Sequence, residues 1–182
     1  MSTAPDLEPL TFRAATADDV ADVLALVRLA YRGPESRRGW TSEAELLDDE
    51  RIDTAGVLAK ITAPSGLVLL AAAPADPLVA CCELVQRSAS VAYFGMFAVR
   101  PAAQSAGLGR VVLAEAERHA RTTFGVSTME MTVIGQRVPL IEWYLRRGYV
   151  LTGEHRPFPY DELVNGRALR DDLYFEVLSK TL

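Results

Sequence analysis

The stretch from Val99 to Arg110, VRPAAQSAGLGR, brings together residue types that could do chemistry. An apolar run stops at Pro101, passes through small residues, and enters a helical pattern beyond Gly107 and Gly109. Glycines at a strand-to-helix junction let a ligand approach bare backbone, and the amides of a helix N-terminus favour an anion. A phosphate loop of the GxxxxGK[ST] type is excluded, because no Lys-Ser or Lys-Thr follows. The dinucleotide fingerprint GxGxxG fails too, since Val112 stands at its third glycine. A tight structural turn and an anion cradle both remain open on these residues alone. Cys81 and Cys82, the only cysteines, are adjacent and should point to opposite faces of a strand, which suits neither a disulfide nor a metal. With only His119 and His155 besides, no metal constellation forms.

The elements that must position this loop follow from periodicity. Residues 10–15 read as a strand, and Thr16 with Asp19 opens a helix over ADDVADVLALVRLAYR. After the loop RGPESRRGWT, Ser42 and Glu45 form a capping box that predicts a helix through EAELLDDE. Residues 55–62 predict another. The period then changes: residues 67–73 and 78–86 are apolar runs separated by the turn PADP, and residues 91–99 continue the series as a third strand. Residues 108–123 predict a helix, residues 126–134 a strand with one covered face, and Pro139 the first turn of a helix ending at Gly148. Residues 149–154 and 172–178 close the chain as strands. The order predicts an α/β domain: a mixed sheet with helices on both faces.

At 182 residues, 49% hydrophobic, the chain should form one domain over residues 1–182, with 1–9 a flexible leader. A net charge of −5 argues against nucleic acid as the main partner, although Arg32, Arg37 and Arg38 make a small basic patch. The start MSTAPDLEPL has no basic or apolar segment of a signal peptide, and the uncharged stretch 61–75 is too short for a membrane helix. A soluble, cytoplasmic protein with no membrane partner is expected.

Phe97-Ala98-Val99-Arg100-Pro101, Gln104, Gly107-Leu108-Gly109-Arg110 and Ala116-Glu117 together resemble the acetyl-CoA motif of the GNAT superfamily of N-acetyltransferases. Tyr144-Leu-Arg-Arg-Gly148-Tyr149 resembles that superfamily's second signature, on its last helix. The resemblance covers nearly the whole chain and implies a GNAT-like acyl-CoA N-acyltransferase fold, with a mostly antiparallel twisted sheet. It implies that Ser105, Ala106, Gly107, Leu108, Gly109 and Arg110 cradle the coenzyme's pyrophosphate. It also implies that the Phe97, Ala98 and Val99 backbone pairs with the pantetheine arm where two strands splay. An amide near Phe97 or Ala98 could then polarise the thioester carbonyl.

Carried further, the resemblance implies transfer of acetyl from acetyl-CoA directly to a primary amine, with Tyr144 facing the coenzyme sulfur. An alkylammonium of pKa about 10.4 is neutral only about once in 2,500 at pH 7, so a base or water chain is expected. The family's acid on the strand before the last helix is replaced here by Thr132, which leaves Glu130, one same-face step away, or Glu83 as candidates. Arg137 stands where the family often has Asn, and could meet coenzyme phosphates or an acidic substrate group. His119 is expected to be structural, and His155, beside the RPFPY loop, is not assigned to the site. The loops 31–41 and 156–163, with Tyr31, Trp40, Phe158 and Tyr160, should form the acceptor pocket for a small polar amine rather than a protein terminus. No metal is expected, and exposed sheet edges allow a homodimer. The rival expectation is a catalytically weak acyl-CoA-binding regulatory module that kept the cradle and lost its base.

Overall fold

The computed structural model describes residues 9–32, Ser36 and residues 43–182, with only the backbone of residues 105 and 106. The chain opens with β1 (Thr11–Ala14), whose exit is fixed by Asp19. The Asp19 carboxylate accepts the Thr16 amide at 2.8 Å and holds Arg13 through 2.6 and 2.8 Å bonds. Helix α1 (Val20–Tyr31) follows. Next come β2 (Leu47–Asp48), α2 (Thr54–Ile61), and the consecutive strands β3 (Gly66–Ala73), β4 (Asp76–Gln86) and β5 (Val91–Val99). A 3-10 turn, Pro101–Ala106, leads into α3 (Leu108–His119). The chain ends with β6 (Thr128–Ile134), α4 (Val138–Leu145), β7 (Val150–Pro157), β8 (Arg167–Ala168) and β9 (Tyr174–Thr181).

Seven strands form one sheet in the order β1-β3-β4-β5-β6-β9-β7, while β2 and β8 pair separately. Every neighbour in the large sheet is antiparallel except β5 and β6. The sheet is therefore mixed, as the element order predicts, and mostly antiparallel, as the resemblance implies. Each face has its own core. Helices α1 and α2 bury Val23, Val27 and Val57 against Val68, Leu70 and Cys81. On the other face α3 and α4 bury Val112, Leu113 and Ile141 against Leu84, Phe94, Met129 and Met131. The adjacent cysteines contribute one side chain to each core, as strand alternation requires.

The helix predicted through residues 43–50 does not form. Glu43 accepts the Leu46 and Leu47 amides in a single turn, after which the chain extends into β2 and pairs with β8. Tertiary contacts override helix propensity here: the Glu43 carboxylate is bound by two arginines, and Leu47 is buried with Ile134, Phe158 and Leu173. The helix predicted to Thr123 also changes character. It is α-helical to His119 and closes in a wider π turn, Ala120–Phe124, ended by Gly125. The last strands begin and end later than the periodicity suggests, with β7 extending to Pro157.

Candidate functional site

The site begins where β5 and β6 part. Their parallel pairing runs only through Val91–Thr128, Ala92–Met129 and Tyr93–Glu130. Beyond that point β6 pairs with β9 alone and β5 with β4 alone, so a wedge opens between them. A bulge sharpens the wedge. Cys81 faces Ala98 and Glu83 faces Gly95, so Cys82 opposes both Met96 and Phe97, and Met96 takes a left-handed φ of 45°. Phe94 consequently packs into one core and Met96 into the other, although two residues apart on a regular strand would share a face.

Helix α3 starts beside this wedge. Gly107, the residue that opens the helix, adopts φ 76° and has no side chain to cap it, and the first amides of the helix have no intrahelical partner. At Gly109 a Cβ would touch Trp143 at 3.4 Å and Phe97 at 3.6 Å, so a larger side chain would fill the cleft mouth. Arg110 and Arg147 line the same cleft. Burial, with the neighbouring Arg146 and Arg110 charges, lowers the Arg147 pKa, and an anion bound here would offset both. The Arg147 guanidinium lies 3.5 Å from the Trp143 ring centroid and donates to the Trp143 carbonyl at 2.7 Å. Gln104 donates to the Val99 carbonyl at 3.2 Å, while its own buried carbonyl oxygen has no partner among the described residues. The Tyr31 hydroxyl donates to the Phe97 carbonyl at 2.6 Å. Each backbone carbonyl retains a second lone pair for an extended ligand lying along β5.

Tyr144 stands where this cleft meets a deeper cavity between β5 and β6. It is 4% exposed, with Trp143 edge-on at 5.0 Å and Tyr149 at 5.7 Å. Burial raises its pKa above the ordinary phenol value, so the hydroxyl holds its proton. The deeper cavity is lined by Tyr93, Thr132, Phe175, Arg51 and Arg137. The Tyr93 hydroxyl and Thr132 Oγ1 are 2.9 Å apart. Glu43 sits at its edge, bound to Arg137 and Arg32, each at 2.8 Å, and Arg32 also pairs with Asp49 at 2.6 Å. Burial alone would raise the Glu43 pKa, but the Arg137, Arg51 and Arg32 charges outweigh it and hold the carboxyl below its usual value.

The structure brings together Phe97, Val99, Gln104, Gly107, Gly109, Arg110, Arg137 and Tyr144, with Tyr31, around the joined cleft and cavity. Ala98 lies on the same strand with its side chain in the α1 core. Leu108 is buried in the α3 core, and the backbone of Ser105 and Ala106 completes the turn. Two acids stand apart. Glu130 binds Arg156 at 2.9 Å, and Glu83 is 7% exposed and binds Lys60 at 2.8 Å. Phe158 packs on Phe175 beside the cavity, and Tyr160 accepts the Leu173 amide at 2.8 Å. Trp40, Arg37 and Arg38 lie outside the described residues. His155 is exposed beside Glu176, and His119 packs edge-on against Phe124. Sequence reasoning passed over Arg51, Tyr93, Trp143 and Glu43, and quoted Arg147 without assigning it a place. Among the described residues no three side chains gather as metal ligands, and no helix is long and apolar enough to cross a membrane.

A family model for the acetyltransferase (GNAT) family matches residues 24–149, which contain α1, the splayed strands, the glycine turn and Tyr144. The chain belongs to this family. As a GNAT acetyltransferase it is an acyltransferase by descent. Solved structures share its fold at low identity. A protein provisionally assigned as a phosphinothricin N-acetyltransferase superimposes with TM-score 0.69 at 17% identity, covering 96% of this chain and 99% of its own. The spermidine N-acetyltransferase of Vibrio cholerae, in complex with CoA and spermine, gives 0.66 at 17% identity, covering 94% and 95%. No curated protein sequence matches the chain.

Proposed function

We propose that this GNAT acetyltransferase transfers acetyl from acetyl-CoA directly to a primary amine of a small polar molecule. The observation that carries the reading is the position of Tyr144, at the junction of a cleft suited to the coenzyme and a cavity suited to an acceptor. Bound acetyl-CoA would supply the activated thioester. The uncapped α3 amides with Arg110 and Arg147 would hold its phosphates, and Gln104 with the Phe97–Val99 backbone would hold its arm.

Tyr144 acts as a hydrogen-bond donor to the departing sulfur. Its raised pKa makes full proton donation uphill, because an ordinary thiol is already the stronger acid. The proton that leaves the acylated nitrogen neutralises the thiolate, so amine and thioester become amide and thiol with no net proton change. Cys81 and Cys82 are buried, and burial raises the Cys81 pKa to about 12, which leaves no thiolate for a covalent route.

Thr132 at the family's acid position, with Glu43 bound to two arginines, supports the second reading, an acyl-CoA-binding module of weak activity. A thermal-shift and free-thiol-release screen with acetyl-CoA and varied amines separates the two. Stabilisation with thiol release upholds transfer; stabilisation without release across the panel favours the module.

A further inference from the structure

The cavity beyond Tyr144 is lined by two guanidiniums, Arg51 and Arg137, and one carboxylate, Glu43. The adjoining cavity, which shares Arg51 and Glu43, adds Arg32, Asp49 and Glu162. Four of these six groups are joined by ion pairs: Glu43 bridges Arg137 and Arg32, and Arg32 also holds Asp49. Arg51 is left over. Among the described residues it makes no ion pair or hydrogen bond, and its guanidinium rests 4.9 Å from the Tyr31 ring centroid. It lines both the cavity under Tyr144 and the adjoining one toward Phe158, where the remaining acid, Glu162, is exposed on the rim. The backbone at Arg51 is held at a left-handed φ of 67°, a conformation that a bulky side chain adopts only where its surroundings enforce it. A half-buried guanidinium with no carboxylate within hydrogen-bond reach among the described residues has an open donor fork, and its best complement is a planar, bidentate anion.

We infer that Arg51 is the anchor for a carboxylate on the acceptor, so that the amine acetylated here belongs to an amino carboxylate and not to a polycation. This rests on the transfer reading above and names its substrate class. With Arg51 and Arg137 lining the cavity, a second ammonium on the acceptor would be repelled, whereas a carboxylate would take up the surplus charge. Tyr93 and Thr132, which line the same cavity, offer hydroxyls to the same group.

The test pairs acceptors that differ only in the carboxylate: L-phenylalanine with phenethylamine, L-methionine with 3-(methylthio)propylamine, and 4-aminobutyrate with propylamine, alongside spermidine. Initial rates are measured on the intact chain and on Arg51→Gln and Arg51→Lys. The carboxylate members should exceed their partners in kcat/KM by about 10- to 100-fold, the range of one charge-assisted contact. Arg51→Gln should collapse that ratio through KM, with Arg51→Lys restoring part of it, and neither should alter the thermal shift caused by acetyl-CoA. Equal or better use of the plain amines or spermidine overturns the anchor, as does an equal loss for both members of a pair in Arg51→Gln. If no amine is acetylated, the transfer reading falls separately. Thermal shifts with the same panel then decide the anchor: Arg51-dependent stabilisation by the carboxylates upholds it, and its absence ends it.

Discussion

The Tyr31 hydroxyl donates a 2.6 Å hydrogen bond to the carbonyl of Phe97, tying the last residue of α1 to the bulged end of β5. The bond fixes the strand whose backbone would lie against the coenzyme arm. Tyr31→Phe removes the donor and leaves the ring in place. The expected stability loss is about 1 kcal/mol, or roughly 2–4 °C in melting temperature. The coenzyme KM should rise as well, because the Phe97 carbonyl loses the contact that orients it. A melting curve and a KM measurement on the same variant check this; a lower melting temperature with an unchanged KM would confine Tyr31 to a structural role.

Tyr144→Phe should lower kcat by about 10- to 100-fold, the loss of one hydrogen bond to a developing charge, with little change in acetyl-CoA affinity. Burial raises the Tyr144 pKa above that of a free phenol, so the hydroxyl stays protonated through pH 10. The wild-type rate profile should therefore show no alkaline fall attributable to this group below pH 10. A profile that loses an alkaline limb in Tyr144→Phe would contradict that assignment.

Much of the coenzyme side was legible because it is local. The glycine turn, the proline before it and the tyrosine of the last helix sit in short windows whose backbone demands are written in residue type, such as the left-handed φ at Gly107. The acceptor side was not legible for the opposite reason. Glu43, Arg51, Tyr93 and Arg137 converge from four separate segments, and no spacing in the chain announces that Glu43 will bind Arg137. The same ion pairs explain the missing helix after residue 43: the carboxylate predicted to sit in the first turn of that helix bridges two arginines instead. The bulge at Met96 was also hidden, because the residues around it read as an uninterrupted strand.

Glu43 is nearly buried and bridges two guanidiniums, so its removal should be costly. Glu43→Gln should lower stability by about 3 kcal/mol, since it removes the buried carboxylate that Arg32 and Arg137 share. The folded-state pKa of Glu43 lies below the unfolded one, so its contribution is complete above the ordinary carboxylate range. That contribution is lost as pH falls through the depressed folded value. Urea unfolding of wild type and variant at several pH values should show their curves converging in acid, and a constant difference down to the lowest pH would refute the assignment.

Gly109→Val should separate binding from folding at the mouth of the cleft. A Cβ at this position meets Trp143 and Phe97 at ordinary contact distance, so alanine is tolerated, while the added methyls of valine project toward the space the coenzyme needs. The melting temperature should stay within about 2 °C of wild type, since valine replaces a residue of lower helix propensity. Affinity for acetyl-CoA should fall at least about tenfold, as would follow from losing one amide-to-phosphate bond. Calorimetric titration of both proteins with acetyl-CoA gives the answer, and unchanged affinity would move the phosphate site away from α3.

The two cysteines supply a test of the direct route. Cys81 and Cys82 have no exposure, each fills a different core, and burial raises both thiol pKa values, that of Cys81 to about 12. Thiolate is the reactive form, so at pH 8 almost none is present and none is reachable. The native protein should therefore resist a thiol-specific reagent such as iodoacetamide for hours and lose no activity, while the urea-unfolded chain should take up two equivalents. A covalent acetyl-cysteine route requires the opposite behaviour, with rapid inactivation that acetyl-CoA protects against. Rapid single-site labelling with matching loss of turnover would exclude direct transfer, because it would place a reachable thiolate at the reacting centre.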